Sequence, residues 1–246
     1  MSDLSNKVAL VTGGSRGIGA ATARRLAADG ATVAISYNSS PDAADAVVQA
    51  ISDAGGTAAA FQADASSADA SAQLVADVVE RFGRLDVLVN NAGVYETAPV
   101  QDTTDAQFDA NFGVNVRGVF ATTRAAAETL ADGGRIVNVG SIVANRGMPG
   151  NSAYGASKAA VGALTRAWAK EFGGRGITVN TVDPGPIDTD MNPDSDENPY
   201  AETMASMTAL GRYGSADEIA SVIAFLASDD ASYVTGAAIA ADGGML

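Results

Sequence analysis

Tyr154 and Lys158 stand four residues apart in Ala153-Tyr154-Gly155-Ala156-Ser157-Lys158, so on a helix they share one face. A phenol titrates near ~10, too high to act as a general base at neutral pH, and a neighbouring ammonium lowers that value by favouring the phenolate. Alone, the pair is a common pattern, met as often as a half-buried Tyr beside a surface Lys. Its company changes the reading. Ser141 ends the apolar run Asn138-Val139-Gly140-Ser141, Asn90-Asn91-Ala92-Gly93 ends another, and Asn115 stands in Asn115-Val116-Arg117-Gly118 among apolar turns. Open α/β sheets bind ligands at the carboxyl ends of their strands, where Ser141 and Asn91 fall. The chain has no His and no Cys, which excludes imidazole bases, thiolate nucleophiles and the usual metal ligands. Proton chemistry here must run through Tyr, Lys, Asp or Glu.

A second constellation opens the chain. Val8–Thr12 runs straight into Thr12-Gly13-Gly14-Ser15-Arg16-Gly17-Ile18-Gly19. Such glycines permit a tight turn and let the N–H groups of a helix N-terminus approach a pyrophosphate. The spacing, Gly-x3-Gly-x-Gly, departs from the common dinucleotide fingerprint. An acidic residue about 20 positions further on would accept a ribose 2′-hydroxyl and repel a 2′-phosphate. Ser36-Tyr37-Asn38-Ser39-Ser40 has no carboxylate, and Arg16 offers a cation, so the phosphorylated cofactor is favoured.

Alternation of short apolar runs with Ala-rich stretches supplies the framework. Strands are expected at Val8–Thr12, Thr32–Ser36, Ala58–Gln62, Leu85–Asn90, Arg135–Gly140, Ile177–Val182 and Ala237–Ala241. Helices are expected near Gly17–Asp29, Asp42–Ala54, Ala68–Phe82, Thr104–Leu130, Ala153–Phe172 and Ala216–Ala227. Runs apolar on both faces fit a parallel sheet covered on both sides, and the β-α alternation implies right-handed crossovers and a doubly wound α/β fold. Pro184–Met204, with four prolines and the acidic run Asp194–Glu197, reads as a binding flap.

The chain has 246 residues and a formal net charge of -14, from 29 acidic and 15 basic side chains. Only Lys7, Lys158 and Lys170 are lysines, a balance that fits either salt adaptation or GC-rich codon usage. An acidic surface disfavours nucleic acid and anionic membranes. No apolar run approaches the length of a membrane span, and the opening Met1–Leu10 lacks a signal-peptide core. A cytoplasmic placement is expected.

Taken together, TGGSRGIG, NNAG, NVRG, Ser141 with YGASK, and DPGPIDTDM resemble the short-chain dehydrogenase/reductase family over essentially the whole chain. The resemblance implies one Rossmann-type domain over residues 1–246 with a seven-stranded parallel sheet, a substrate flap at about 186–210, NADP(H), no metal, and a homotetramer. Tyr154 would give its proton to a carbonyl oxygen. Lys158 would lower the Tyr154 pKa and bind the nicotinamide ribose, Ser141 would polarise the carbonyl, and Asn115 would fix a water in a proton relay. Gly13, Ser15, Arg16, Gly17, Ile18 and Gly19 would carry the phosphates and adenosine side, with Tyr37, Asn38 and Ser39 as in NADPH-preferring members. Asp64 and Ala65 would meet the adenine, and Asn91, Ala92 and Gly93 the ribose. Pro184, Gly185, Ile187 and Thr189 would cover the nicotinamide. A retired enzyme serving as a cofactor sensor is the non-catalytic alternative, and it predicts loss of at least one of these four catalytic positions.

Overall likeness is greatest to 3-oxoacyl-[acyl-carrier-protein] reductases and related ketone reductases. Carrier proteins are acidic and need a cationic docking face. Leu130–Arg135 carries no extra cation and only Arg175 stands nearby, so a small free ketone or its alcohol is the expected substrate, with a sugar or polyol as another possibility. Tyr95, Val143, Asn145, Met148, Met191, Tyr200, Met204 and Met207 are the candidate pocket residues. The helix Ala153–Phe172, with Trp168, and the C-terminal segment Gly243–Leu246 are the candidate subunit interfaces.

Overall fold

The computed structural model describes residues 3–245; Met1, Ser2 and Leu246 of the expected domain and interface lie outside them. Seven strands, β1 (Val8–Val11), β2 (Thr32–Tyr37), β3 (Thr57–Gln62), β4 (Leu85–Asn90), β5 (Leu130–Val139), β6 (Thr178–Pro184) and β9 (Ala238–Ala241), form one parallel sheet in the order β3-β2-β1-β4-β5-β6-β9. The order reverses direction between β1 and β4, which opens a crevice at the carboxyl ends of these two strands. A two-stranded sheet, β7 (Ile187–Asp188) with β8 (Gly214–Ser215), lies in the flap region beside the short helix α7 (Ala201–Ser206).

Both faces of the sheet are apolar because helices cover both. One core joins Ala9, Val11, Val33, Val89 and Val137 to α1 (Gly17–Ala28), α2 (Pro41–Asp53) and α8 (Ala216–Ala227). The other joins Leu10, Leu88, Ile136 and Val179 to α3 (Ala68–Phe82), α5 (Val119–Ala126) and α6 (Ser152–Phe172). Alternate residues of each strand feed the two cores. Capping sets several helix starts: Ser67 caps α3, and Ser215 with Glu218 forms the expected capping box of α8.

The expected helix Thr104–Leu130 runs unbroken from Asp105 to Ala126 but is not α-helical throughout. It resolves into α4 (Asp105–Phe112), a π-helical turn Gly113–Gly118, and α5, and Leu130 begins β5 instead. Gly113 and Gly118 bracket the wide turn, and a side chain at Gly118 would run into the Ala65 carbonyl. Beyond α5 the Arg175 guanidinium grips the carbonyls of Ala127 and Leu130, and Leu130 pairs with Leu85. Trp168 is buried within the chain, beside the Phe120 ring.

Candidate active site

A cleft of about 420 Å³ runs along the carboxyl edge of the sheet from the glycine loop to Tyr154. At one end, Gly13 and Gly17 have φ of +63° and +52°, the left-handed region that glycine alone enters freely. A Cβ on Gly13 would sit 2.9 Å from the Ala92 Cα, and one on Gly19 only 2.3 Å from the Gly13 carbonyl oxygen. The loop is stapled to β4: the Asn91 amide donates to the Thr12 and Gly13 carbonyls at 2.9 Å each, and the Asn91 and Ala92 N–H groups donate to the Thr12 hydroxyl at 3.0 Å each. Asn91 therefore holds the loop as well as lining the cleft. Thr12, the first residue of the motif, is a positioning residue for the loop.

Helix α1 begins without a side-chain cap, so its first-turn N–H groups are open to an anion. Ser15, Arg16, Tyr37, Asn38, Ser39, Asp64 and Ala65 line the same end of the cleft. Arg16 is exposed and 3.7 Å from the Asp190 carboxylate of the flap. Asp64 accepts from both the N–H and the hydroxyl of Ser66 at 2.8 Å, which fixes its direction. Open helix N–H groups, a glycine-only approach and an arginine beside hydroxyls form a donor set that fits a phosphorylated dinucleotide.

At the other end, α6 presents Tyr154 and Lys158 together, the ammonium 5.9 Å from the phenol ring centroid. Gly155 lets the helix close on the turn after Ser141, since a Cβ there would press on the Val143 carbonyl at 3.2 Å. Lys158 is 6% exposed and donates to the Val139 carbonyl at 2.9 Å. Burial lowers it to about 8. Tyr154 behaves contrary to expectation: burial, with smaller contributions from Tyr95 and Asp183, pushes it up to about 12, opposed by the Ser141 hydroxyl that faces it. The ammonium is spent on a backbone carbonyl and desolvated itself, so the phenol in this site keeps its proton.

Asn115 sits in the π-helical turn, fully buried, one layer behind the cleft wall. Its amide donates to the Val94 carbonyl at 3.0 Å and to the Ser157 hydroxyl at 3.1 Å, while its oxygen accepts from the Val94 N–H at 2.9 Å. Ser157 in turn donates to the Tyr154 carbonyl at 2.7 Å. Asn115 thus clamps the start of α6 to the segment after β4. The signals were present in the small polar Ser157 three residues past Tyr154 and in the two glycines around Asn115.

Pro184, Gly185, Ile187 and Thr189 reach the cleft, although the Ile187 side chain is turned into the core. Gly93 allows Asn115 and Lys158 to approach: a Cβ there would lie 3.2 Å from one and 3.5 Å from the other. Among the pocket candidates, Tyr95, Val143, Met148, Met191 and Met204 line the cleft, and Tyr95 stands edge-on to Tyr154 with ring centroids 4.7 Å apart. Asn145, Tyr200 and Met207 do not line it. The Asn145 amide turns away toward Asp183 at 3.5 Å, and Tyr200 is 66% exposed on the outer side of the flap. Met245 replaces them: its carbonyl is held by Arg146, and it is buried against the cleft of its own chain rather than at an outer surface.

The family model described as enoyl-(acyl carrier protein) reductase matches residues 13–246. A 3-oxoacyl-[acyl-carrier-protein] reductase of Synechocystis is 44% identical over 249 residues, covering 100% of this chain and 99% of that protein. A short-chain dehydrogenase from Burkholderia cenocepacia, solved in complex with NADP, is 47% identical with a TM-score of 0.96 over 98% of each chain. A blue fluorescent protein from a metagenomic library, solved in complex with NADPH, is 46% identical with a TM-score of 0.95 over 99% of each chain. The chain belongs to the short-chain dehydrogenase/reductase family of oxidoreductases. Among the described residues no helix is long and apolar enough to cross a membrane.

Proposed function

We propose that this protein reduces a small ketone to a secondary alcohol, reversibly, with NADPH. The observation that carries the reading is a half-buried phenol, Tyr154, facing the Ser141 hydroxyl in a cleft whose far end suits a phosphorylated dinucleotide. The cofactor supplies the hydride to the carbonyl carbon. Tyr154 gives its proton to the carbonyl oxygen as charge develops there, and Ser141 holds that oxygen in line. Lys158 adds positive charge behind the phenol and would help hold the cofactor ribose. Asn115 holds the segment that carries both. Arg16, with Tyr37, Asn38 and Ser39, would hold the 2′-phosphate, and the first turn of α1 would hold the pyrophosphate.

The substrate wall supports a free ketone. Tyr95, Val143, Met148, Met191, Met204 and Met245 form an apolar and adaptable lining. Two cations near the start of β5 are paired within the chain: Arg175, half-buried, bonds Asp132 and two backbone carbonyls, and Arg135, 6% exposed, bonds Asp229 and the Ser228 carbonyl. Neither offers a docking charge to an acidic carrier protein. A carrier-bound 3-oxoacyl substrate is the second reading, favoured by the likeness to the Synechocystis enzyme. The test is consumption of NADPH with an activated ketone ester, followed by the absorbance of the reduced nicotinamide and repeated with NADH. Ketone-dependent oxidation with NADPH preferred is expected. No ketone-dependent oxidation, or a preference for NADH, would overturn the assignment.

A further inference from the structure

One buried carboxylate lies behind the site and has no part in the reaction as derived above. Along β6 the side chains facing α6 grade from apolar to polar toward the carboxyl end. Ile177, just before the strand, and Val179 pack in the core with Val161 and Trp168, Thr181 meets Thr165 hydroxyl to hydroxyl at 2.7 Å, and Asp183 comes last, against Gly140, the residue after the Val139 carbonyl that Lys158 bonds. Asp183 is 5% exposed. Its place is made by the neighbouring strand. Asn138 pairs with Thr181, so Gly140 falls beside Asp183, and a Cβ on Gly140 would stand 2.0 Å from the Asp183 Oδ1. A carboxylate there requires a residue without a side chain directly before Ser141.

The groups around Asp183 are few. From α6 come Lys158 and Tyr154, with Tyr95 beyond Tyr154; from the turn after β5 come the Ser141 amide and the Asn145 amide at 3.5 Å; past β9, Asp242 lies against Gly185. Arg146 is turned to the Met245 carbonyl. Lys158 is the one cation facing the carboxylate among these. Ionising an acid in so buried a place is unfavourable, and the group is pushed up to about 6, with the Ser141 amide and Lys158 opposing the rise.

We propose that Asp183 is a positioning residue whose negative charge, held in the Gly140 slot behind Ser141, favours the protonated forms of Lys158 and Tyr154 and so biases the site toward ketone reduction. The inference rests on the reading of Tyr154 as proton donor. A negative charge beside an ammonium and a phenol makes deprotonation of both harder, and its removal makes both easier. Reduction requires the protonated phenol and oxidation of the alcohol requires the phenolate, so both alkaline limbs must move in one direction.

The experiment is the pH dependence of kcat/KM in both directions for the wild type, Asp183→Asn and Asp183→Ala, with Tyr154→Phe as a control. Asp183→Asn keeps the shape and drops the charge; Asp183→Ala empties the slot and serves if the first variant fails to fold. The alkaline fall of the reduction rate is expected to move down by about 1 pH unit or more, and the alkaline rise of the oxidation rate is expected to move down with it. Limbs that stay in place in the folded variants, whatever the overall loss of rate, would show Asp183 to be structural and overturn the proposal. Substantial turnover in Tyr154→Phe would instead remove the proton-donor reading beneath it, and the two failures are distinct.

Discussion

The corner around Tyr154 and the wall contributed by the flap face each other across one cleft, and they are built on opposite principles. In the corner nearly every polar atom is fixed by another part of the fold: Asn115 by Val94 and Ser157, Lys158 by Val139, Ser157 by the backbone of Tyr154. The flap wall is made of Met191, which is 50% exposed, and Met204, on a six-residue helix with little burial of its own. Side chains held from behind can place a proton to within tenths of an ångström. A methionine wall can fit many shapes and select few. The contrast teaches that the polar corner is held from behind by the core, whereas the facing wall rests on a lightly buried segment.

The contrast breaks most sharply at Tyr154. Tyr154→Phe removes one oxygen from the corner, and ketone turnover is expected to fall by ~10²–10⁴-fold while NADPH affinity, read by fluorescence titration, changes little. Gly19→Ala strikes the cofactor end instead. Its Cβ would lie 2.3 Å from the Gly13 carbonyl oxygen, so the loop must shift, and NADPH affinity is expected to weaken by ~10-fold or more, in line with ~1–3 kcal/mol for a core clash.

The pH profile sharpens the same contrast. Lys158 falls to about 8 in the free protein because burial disfavours its charge. The ammonium is complete below that value and lost above it, so kcat/KM for reduction is expected to decline as pH rises through about 8. A profile flat to well above that point would mean that the charge of Lys158 does not matter to the step. Arg16→Ala should act on cofactor choice alone, lowering the NADPH-over-NADH preference by ~10-fold, the scale of one charge-assisted phosphate contact. The smallest effects belong to the flap: Met204→Ala is expected to alter KM by a few-fold, in a direction that depends on the ketone, whereas Tyr200→Ala, outside the cleft, should leave KM unchanged.

What the sequence disclosed follows the same division. Parallel strands buried on both faces leave continuous apolar runs, and helices with Ser caps announce their starts, so Leu85–Asn90, Ala68–Phe82 and Ala216–Ala227 were readable to the residue. The glycine loop and the Tyr154–Lys158 pair are local patterns, each carried by one turn of chain. The π-helical turn at Asn115 was not readable, and the need for glycine at its end, the Ala65 carbonyl against Gly118, is a contact between segments distant in sequence. Asp183 was hidden for a related reason: its place exists only because Gly140 lies beside it in the sheet, a pairing between strands that no local pattern records. Asn145 and Tyr200 show the converse error. Both are polar or aromatic and close in sequence to true lining residues, yet one amide turns back to Asp183 and the other ring faces outward. Met245 closes the cleft through the Arg146 contact to its carbonyl, which no periodicity could reveal.

The most direct test of the central claim compares initial NADPH oxidation with a small 3-oxo ester and with the same 3-oxoacyl group as a thioester on acyl carrier protein. A fixed corner behind an adaptable apolar wall, with Arg135 and Arg175 paired within the chain, should give the higher kcat/KM with the free ketone ester. A strong preference for the carrier-bound thioester would contradict the account, since an acidic partner would then be docking on a chain of net charge -14 through a surface that the free-ketone reading does not contain.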